Sequence, residues 1–204
     1  MQIQKEDIRE NIIETSKLLF FEKGYIKTKI SDISKKSGIP VGNIYNYFDS
    51  KDSIFYTCIE NTLKIIDKWF LEQEKKKNMI LDFHSELILK ELDDMIDFII
   101  NNKVEINLIF NISYGTNFEY IPEKILKRYF EVGKNQMSLM NYKNNNYNIS
   151  NFILKQLISL YFRVLVEVTS NNYSKEEIKN ILKELINFLY SGSYGLLKDL
   201  KIYH

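Results

Sequence analysis

The chain has 204 residues, 45% of them hydrophobic and 27% charged, with a net charge of +1. That length can bury a core in one or two domains, and the balance is that of a globular protein rather than a disordered tail. With seven glycines, two prolines and no alanine, the chain lacks the turn residues that an all-β fold needs, so an all-α fold is expected. The one cysteine, Cys58, cannot form an intrachain disulfide, and no apolar run approaches the ~18 residues of a membrane span. A reducing cytoplasm is the expected compartment, with no membrane partner.

Ile8, Ile12, Thr15 and Leu19 recur at helical spacing, widened by Ile13 and Phe20. They predict a first helix over about Lys5–Lys23, stopped by Gly24. Thr28 offers an N-cap hydroxyl to a second, short helix over Lys29–Ser37, which Gly38 ends. Pro40 suits the start of a third helix, Val41–Tyr47, because the N–H it lacks would have no partner there. Asp49 or Ser50 can cap a long fourth helix from Lys51 to the polar break at Glu74–Asn78. Further helices are expected at Met79–Ile100, Val104–Gly115, Pro122–Met140, Ile149–Ser170 and Ser174–Leu200, about nine helices in all. Lys143–Asn148 reads as a loop, and Ser174 with Glu177 forms a capping box.

The small net charge hides an asymmetry. Residues 23–51 hold six lysines against two aspartates, whereas from residue 52 onward 19 basic residues meet 20 acidic ones. The positive charge therefore collects around the second and third helices, as a modest electrostatic footprint for nucleic acid. Two short helices joined by Ser37-Gly38-Ile39 and braced by a preceding helix make a helix-turn-helix. Ile30, Ile33, Ile39, Ile44 and Phe48 supply its core. Val41, Gly42, Asn43, Tyr45, Asn46 and Tyr47 remain outside it, on a helix whose N-terminal residues can enter a major groove. Asn43 can pair bidentately with adenine, and Val41 can pack on a thymine methyl.

Thr28-x-Ile30-Ser31-Asp32-Ile33, Gly38, Gly42-Asn43-Ile44-Tyr45-Asn46-Tyr47-Phe48, Ser50-Lys51 and Ile54 stand at fixed spacing. With the approach Phe20-Phe21-Glu22-Lys23-Gly24-Tyr25, this pattern resembles the DNA-binding region of the TetR family of transcriptional regulators. The resemblance implies a DNA-binding domain over residues 1–51, with the likeness running to about residue 66, and a larger helical ligand-binding and dimerisation domain over 52–204. It implies phosphate contacts by Tyr45, Tyr47 and Lys51, and a capping residue at Thr28 that also touches the DNA backbone. Val41, Gly42 and Asn43 would face the groove, with Lys29 and Ser31 as further contacts. Many family members carry a lysine or arginine where this chain has Val41, and a serine where it has Pro40. Less base readout through charge is implied here.

The larger part of the chain carries no motif of comparable specificity. Helical stripes through Leu157, Tyr161 and Val164, and through Ile178, Leu182, Leu185 and Leu189, suit either an internal core or a four-helix interface between two copies; the resemblance favours the homodimer. Trp69, Phe83, Phe110, Asn111, Tyr114 and Phe118 are the candidates for the small-molecule pocket that the resemblance implies. His84 and His204 have no partner at metal-ligand spacing, and no nucleophile–base pair or phosphate loop can be assembled. No metal, cofactor or enzymatic activity is expected. The resulting expectation is a homodimeric repressor on a palindromic double-stranded operator, released by a small, largely apolar effector. A DNA-binding architectural protein without a ligand is the alternative that a fully packed middle region would favour.

Overall fold

A computed structural model of the chain describes residues 2–75, 86–144 and 149–198. Among them the secondary structure is helical throughout, with α1 Gln2–Lys23, α2 Ile30–Ser37, α3 Val41–Tyr45, α4 Lys51–Lys75, α5 Glu86–Asn101, α6 Lys103–Asn107, α7 Ile121–Asn144, α8 Asn151–Ser170 and α9 Lys175–Lys198. The all-α expectation is met. No helix of the described residues is long and apolar enough to cross a membrane. The chain divides into two compact units: residues 1–66 with 102–122, and residues 67–101 with 123–204.

The first unit contains the three-helix arrangement, the first part of α4 and an inserted segment around α6. Its core is built from Ile12, Phe20, Ile33, Ile44, Ile54, Phe55 and Ile59, none of which is exposed to solvent. Phe20, Tyr25 and Phe55 pack as a tilted and edge-to-face triangle with centroids 5.4–5.6 Å apart, a geometry that suits the ring quadrupoles. Gly24 ends α1 with φ 79°, and its N–H donates to the Phe20 carbonyl at 2.9 Å. Cys58 is a buried free thiol, its pKa pushed up to about 12 chiefly by desolvation; a thiol in that state is an inert core residue.

The inserted segment departs from expectation. A single helix over Val104–Gly115 is replaced by the short α6, followed without a break by a π-helical turn, Leu108–Ile112. Burial explains it: Ile106, Asn107, Leu108 and Ile109 are four consecutive buried residues, and an α-helical turn would carry one of them away from the core. Lys17 of α1 ties the segment down through Glu105 at 2.8 Å and also pairs with Glu14 at 2.6 Å. Burial by itself would lower the pKa of Lys17, but its hydrogen bonds to Glu105 and Glu14 outweigh that and raise it.

The second unit is organised around α8 and α9. Ser150 caps α8, accepting from the Ile153 N–H. The Ser174–Glu177 capping box at the start of α9 is present, with the Ser174 N–H donating to Glu177 at 2.7 Å and the Glu177 N–H to Ser174 Oγ at 3.3 Å. Helix α5 is described from Glu86, so the expected start at Met79 lies outside the described residues. The expected loop at 143–148 is helical through Asn144, and its remainder lies outside them. In the core, Tyr129 stacks on Trp69 (5.6 Å) and on Tyr161 (5.9 Å), with Phe162 edge-on at 5.4 Å. Burial pushes the Tyr129 phenol up to about 12. Arg128 lies over the Phe70 ring at 4.6 Å and pairs with Asp67 at 2.7 Å and Glu74 at 3.1 Å.

Candidate nucleic-acid interface

Every backbone step between α2 and α3 is accounted for. Gly38 adopts φ 74°, ψ 9°, and its N–H returns to the Ser34 carbonyl. That left-handed conformation is open to glycine and costly to a side chain. The Ile39 N–H donates to Ser37 Oγ at 3.3 Å. Pro40 precedes α3 with φ −54°, and its carbonyl accepts from Asn43 and Ile44 at 2.8 and 3.1 Å. Ile33, Ile39, Ile44 and Phe48 are buried beneath the pair of helices. From α1, Asn11 donates to the Ser37 carbonyl at 3.2 Å, and Arg9 lies over Phe48 at 5.3 Å. The expected third helix is two residues shorter at its C-terminus, because Tyr47 and Phe48 both donate to the Ile44 carbonyl in a tightening turn.

Burying Ile44 and Phe48 turns the rest of α3 outward. Val41 is 40% exposed and Tyr45 51%, Gly42 and Asn43 are exposed, and Tyr47 is half-buried. Lys29 and Ser31 are also exposed. These seven expected contacts are therefore accessible in one unit.

Two expected contacts have other occupations. Thr28 is fully buried and does not cap α2. Its hydroxyl donates to the Gly24 carbonyl at 2.8 Å, with the Leu19 carbonyl at 3.2 Å, where the end of α1 leaves acceptors without amide partners. The residue before α2 is Lys29, whose N–H donates to Asp32 at 3.0 Å. Lys51 donates to the carbonyls of Tyr25 and Thr28, both at 2.9 Å, and lies 4.0 Å over the Tyr25 ring. Desolvation lowers its pKa, partly offset by Asp52. Its neighbour Asp52 accepts from the Tyr25 hydroxyl at 2.7 Å and from the Asn117 amide at 2.7 Å. The start of α4 is thus a clamp on the α1–α2 turn, made of residues that sequence reasoning did not single out beyond Lys51. Sequence offered no signal for Asp52 and Asn117, which are 65 residues apart.

The expected pocket residues do not share one unit. Trp69 belongs to the second, within its aromatic stack. Phe110, Asn111, Tyr114 and Phe118 belong to the first, where Tyr114 is 75% exposed and Phe118 packs on Tyr56 at 5.0 Å. Phe83 lies outside the described residues. The expected interface stripe is corrected in part: Tyr161, Ile178 and Leu182 are 7%, 2% and 0% exposed within the single chain, so they form its core. Leu157, Val164, Leu185 and Leu189 are half-buried. Among the described residues of these helices, the exposed apolar side chains include Phe152, Ile153 and Phe188.

Residues 12–57, from α1 into α4, match the family model of bacterial regulatory proteins, tetR family. An uncharacterised helix-turn-helix transcriptional regulator of Lactococcus lactis is 31% identical over 107 residues, covering 52% of this chain and 51% of that protein. The negative transcriptional regulator IcaR of the Staphylococcus aureus biofilm operon icaADBC is 27% identical over 88 residues, covering 43% of this chain and 47% of its own. The chain thus spans about half the length of the curated relatives it matches. A TetR-family transcriptional regulator from Bordetella parapertussis shares the fold, with a TM-score of 0.66 at 14% identity over 90% of this chain and 94% of its own. The helix-turn-helix region, residues 12–57, is thus similar to that of the tetR family of bacterial regulatory proteins, and the fold is that of a solved TetR-family regulator.

Proposed function

We propose that the chain is a DNA-binding transcriptional repressor that acts as a homodimer on a palindromic operator. The observation that carries this reading is the outward surface of α3. A five-residue helix buries one side chain, Ile44, and leaves Val41, Gly42, Asn43 and Tyr45 exposed, which is costly in apolar surface unless a partner covers it. Asn43 would read adenine, Val41 a thymine methyl, and Tyr45 and Tyr47 would donate to phosphates. Lys29 and Ser31 flank them on and before α2. Lys51 acts chiefly by holding the α1–α2 turn, and Thr28 by closing the end of α1.

Repression is supported by the description of IcaR as a negative regulator. The homodimer is supported by Phe152, Ile153 and Phe188, exposed apolar residues on α8 and α9, and a two-fold reader would place its two helices about 34–36 Å apart. An apolar effector is the reading suggested by the aromatic stack of the second unit. A cytoplasmic location follows from the role.

The test is selection of duplexes from a randomised library by the purified full chain. A two-fold symmetric sequence should be enriched, and its affinity should fall steeply as salt rises. Asn43→Ala should weaken that duplex about tenfold or more while leaving non-specific binding in place. If no sequence is enriched at moderate salt, the reading is wrong.

A further inference from the structure

Several cations of the first unit are spent inside it. Lys17 pairs with Glu14 and Glu105, Lys36 with Glu22 at 3.2 Å, and Lys64 with Glu60 at 2.8 Å. Lys51 is held by two carbonyls, and α3 carries no basic residue of its own. Arg9 of α1 is different. It is exposed, and among the described residues it has no carboxylate partner. Glu6 stands three positions before it on the same helix, a spacing at which ion pairs form readily, yet the guanidinium turns elsewhere. It lies over the ring of Phe48 at 5.3 Å, in the turn that follows α3.

We propose that Arg9 is a phosphate contact: its guanidinium, steadied over Phe48, takes a backbone phosphate of the duplex beside the end of α3. This rests on α3 being the groove-entering helix. A ring face attracts the guanidinium charge and uses none of its N–H donors, so the planar fork stays free for bidentate pairing with a phosphate. Phe48 directly follows Tyr47, and Arg9 therefore stands at the end of α3 that carries the two phenols. Asn11, two residues further along α1, donates to the Ser37 carbonyl in the α2–α3 turn. That bond fixes this part of α1 against the helix-turn-helix and limits how far Arg9 can swing. A phenol offers a phosphate one neutral hydrogen bond, whereas Arg9 brings a full positive charge. With Lys51 turned inward, nothing on α3 supplies one. A cation anchored outside α3 adds affinity and fixes register without reading sequence.

The experiment compares the full chain with Arg9→Gln and Arg9→Lys across a salt series. The probes are the duplex that the wild type selects from a randomised library and an unrelated duplex of equal length. Arg9→Gln should bind both duplexes more weakly by the same factor, about tenfold at low salt. Its plot of log affinity against log salt should be shallower by about one for each protomer bound. Arg9→Lys keeps the charge and loses the fork, so it should keep the wild-type slope and bind about threefold more weakly. Both variants should melt within about 3 °C of the wild type. An unchanged slope for Arg9→Gln overturns the inference, because packing on Phe48 alone does not release counterions. A shallower slope for Arg9→Lys, which retains the charge, overturns it too. So does a loss confined to the selected duplex, which would assign Arg9 to base reading. A wild type that binds neither duplex would overturn the DNA-binding reading and this inference together, an outcome distinct from the others.

Discussion

Thr28, Lys51 and Asp52 show how much a residue's role depends on where its neighbours' backbone ends. A threonine before a short helix suggests an N-cap, but the Thr28 hydroxyl lies against the last carbonyls of α1 and closes that helix. Lys51 similarly spends its ammonium on two carbonyls of the α1–α2 turn. Sequence could place both residues at helix boundaries without saying which boundary each would serve. Asp52 joins Tyr25 to Asn117, so Tyr25→Phe should destabilise the first unit by about 1.5 kcal/mol, the net worth of a hydrogen bond to a charged acceptor; urea denaturation checks this. The same bond has a pH signature. Burial, and then Asp52, raise the Tyr25 pKa above its usual 10.0. The folded state therefore holds a proton that the unfolded chain gives up. The stabilisation is complete below pH 10 and declines as pH climbs beyond it. Wild type should lose its advantage over Tyr25→Phe between neutral and strongly alkaline solution, as followed by the urea midpoint.

Among the elements, those governed by local chemistry matched their sequences. The Ser174–Glu177 box, the Gly24 stop and the Ser50 start of α4, where the Ser53 N–H donates to Ser50 Oγ at 3.0 Å, each depend on residues within four positions. So does the turn at Gly38, whose left-handed backbone makes a direct prediction. Gly38→Ala should cost about 1–2 kcal/mol, because Cβ crowds the carbonyl in that conformation, and the loss should appear as a lower urea midpoint with the slope unchanged. Gly42→Ala, four residues on, should move stability the other way. The contrast follows from φ alone, since neither glycine has a neighbour within 4 Å of an added Cβ. The break between α5 and α6 fell where it was expected, but the π-helical turn was not legible. It accompanies four successive buried residues, Ile106 to Ile109, a demand set by helices far away in sequence.

For the whole molecule, the stripes on α8 and α9 carried two meanings that periodicity could not separate. Core and subunit interface both require apolar residues at helical spacing. Burial shows which residues the single chain uses for itself: Leu182 and Ile178 are internal, whereas Phe188 is 68% exposed on α9 and available to the proposed homodimer. Phe188→Glu should therefore leave the melting of the isolated chain near that of wild type while abolishing self-association, as read by sedimentation across a concentration series. A wild type that sediments as a monomer at all concentrations would remove the homodimer from the proposed function. The sequence by itself determined the helical class, the caps at Ser50 and Ser174 and the helix-turn-helix with its Gly38 turn, because these depend on residues a few positions apart. Only the tertiary structure decided that Thr28 and Lys51 face inward, that Tyr161 and Leu182 are core, and that Gly42 stands clear of the rest of the chain. Each of those facts depends on which distant atoms fill the space around a side chain, and spacing along one helix carries no record of it.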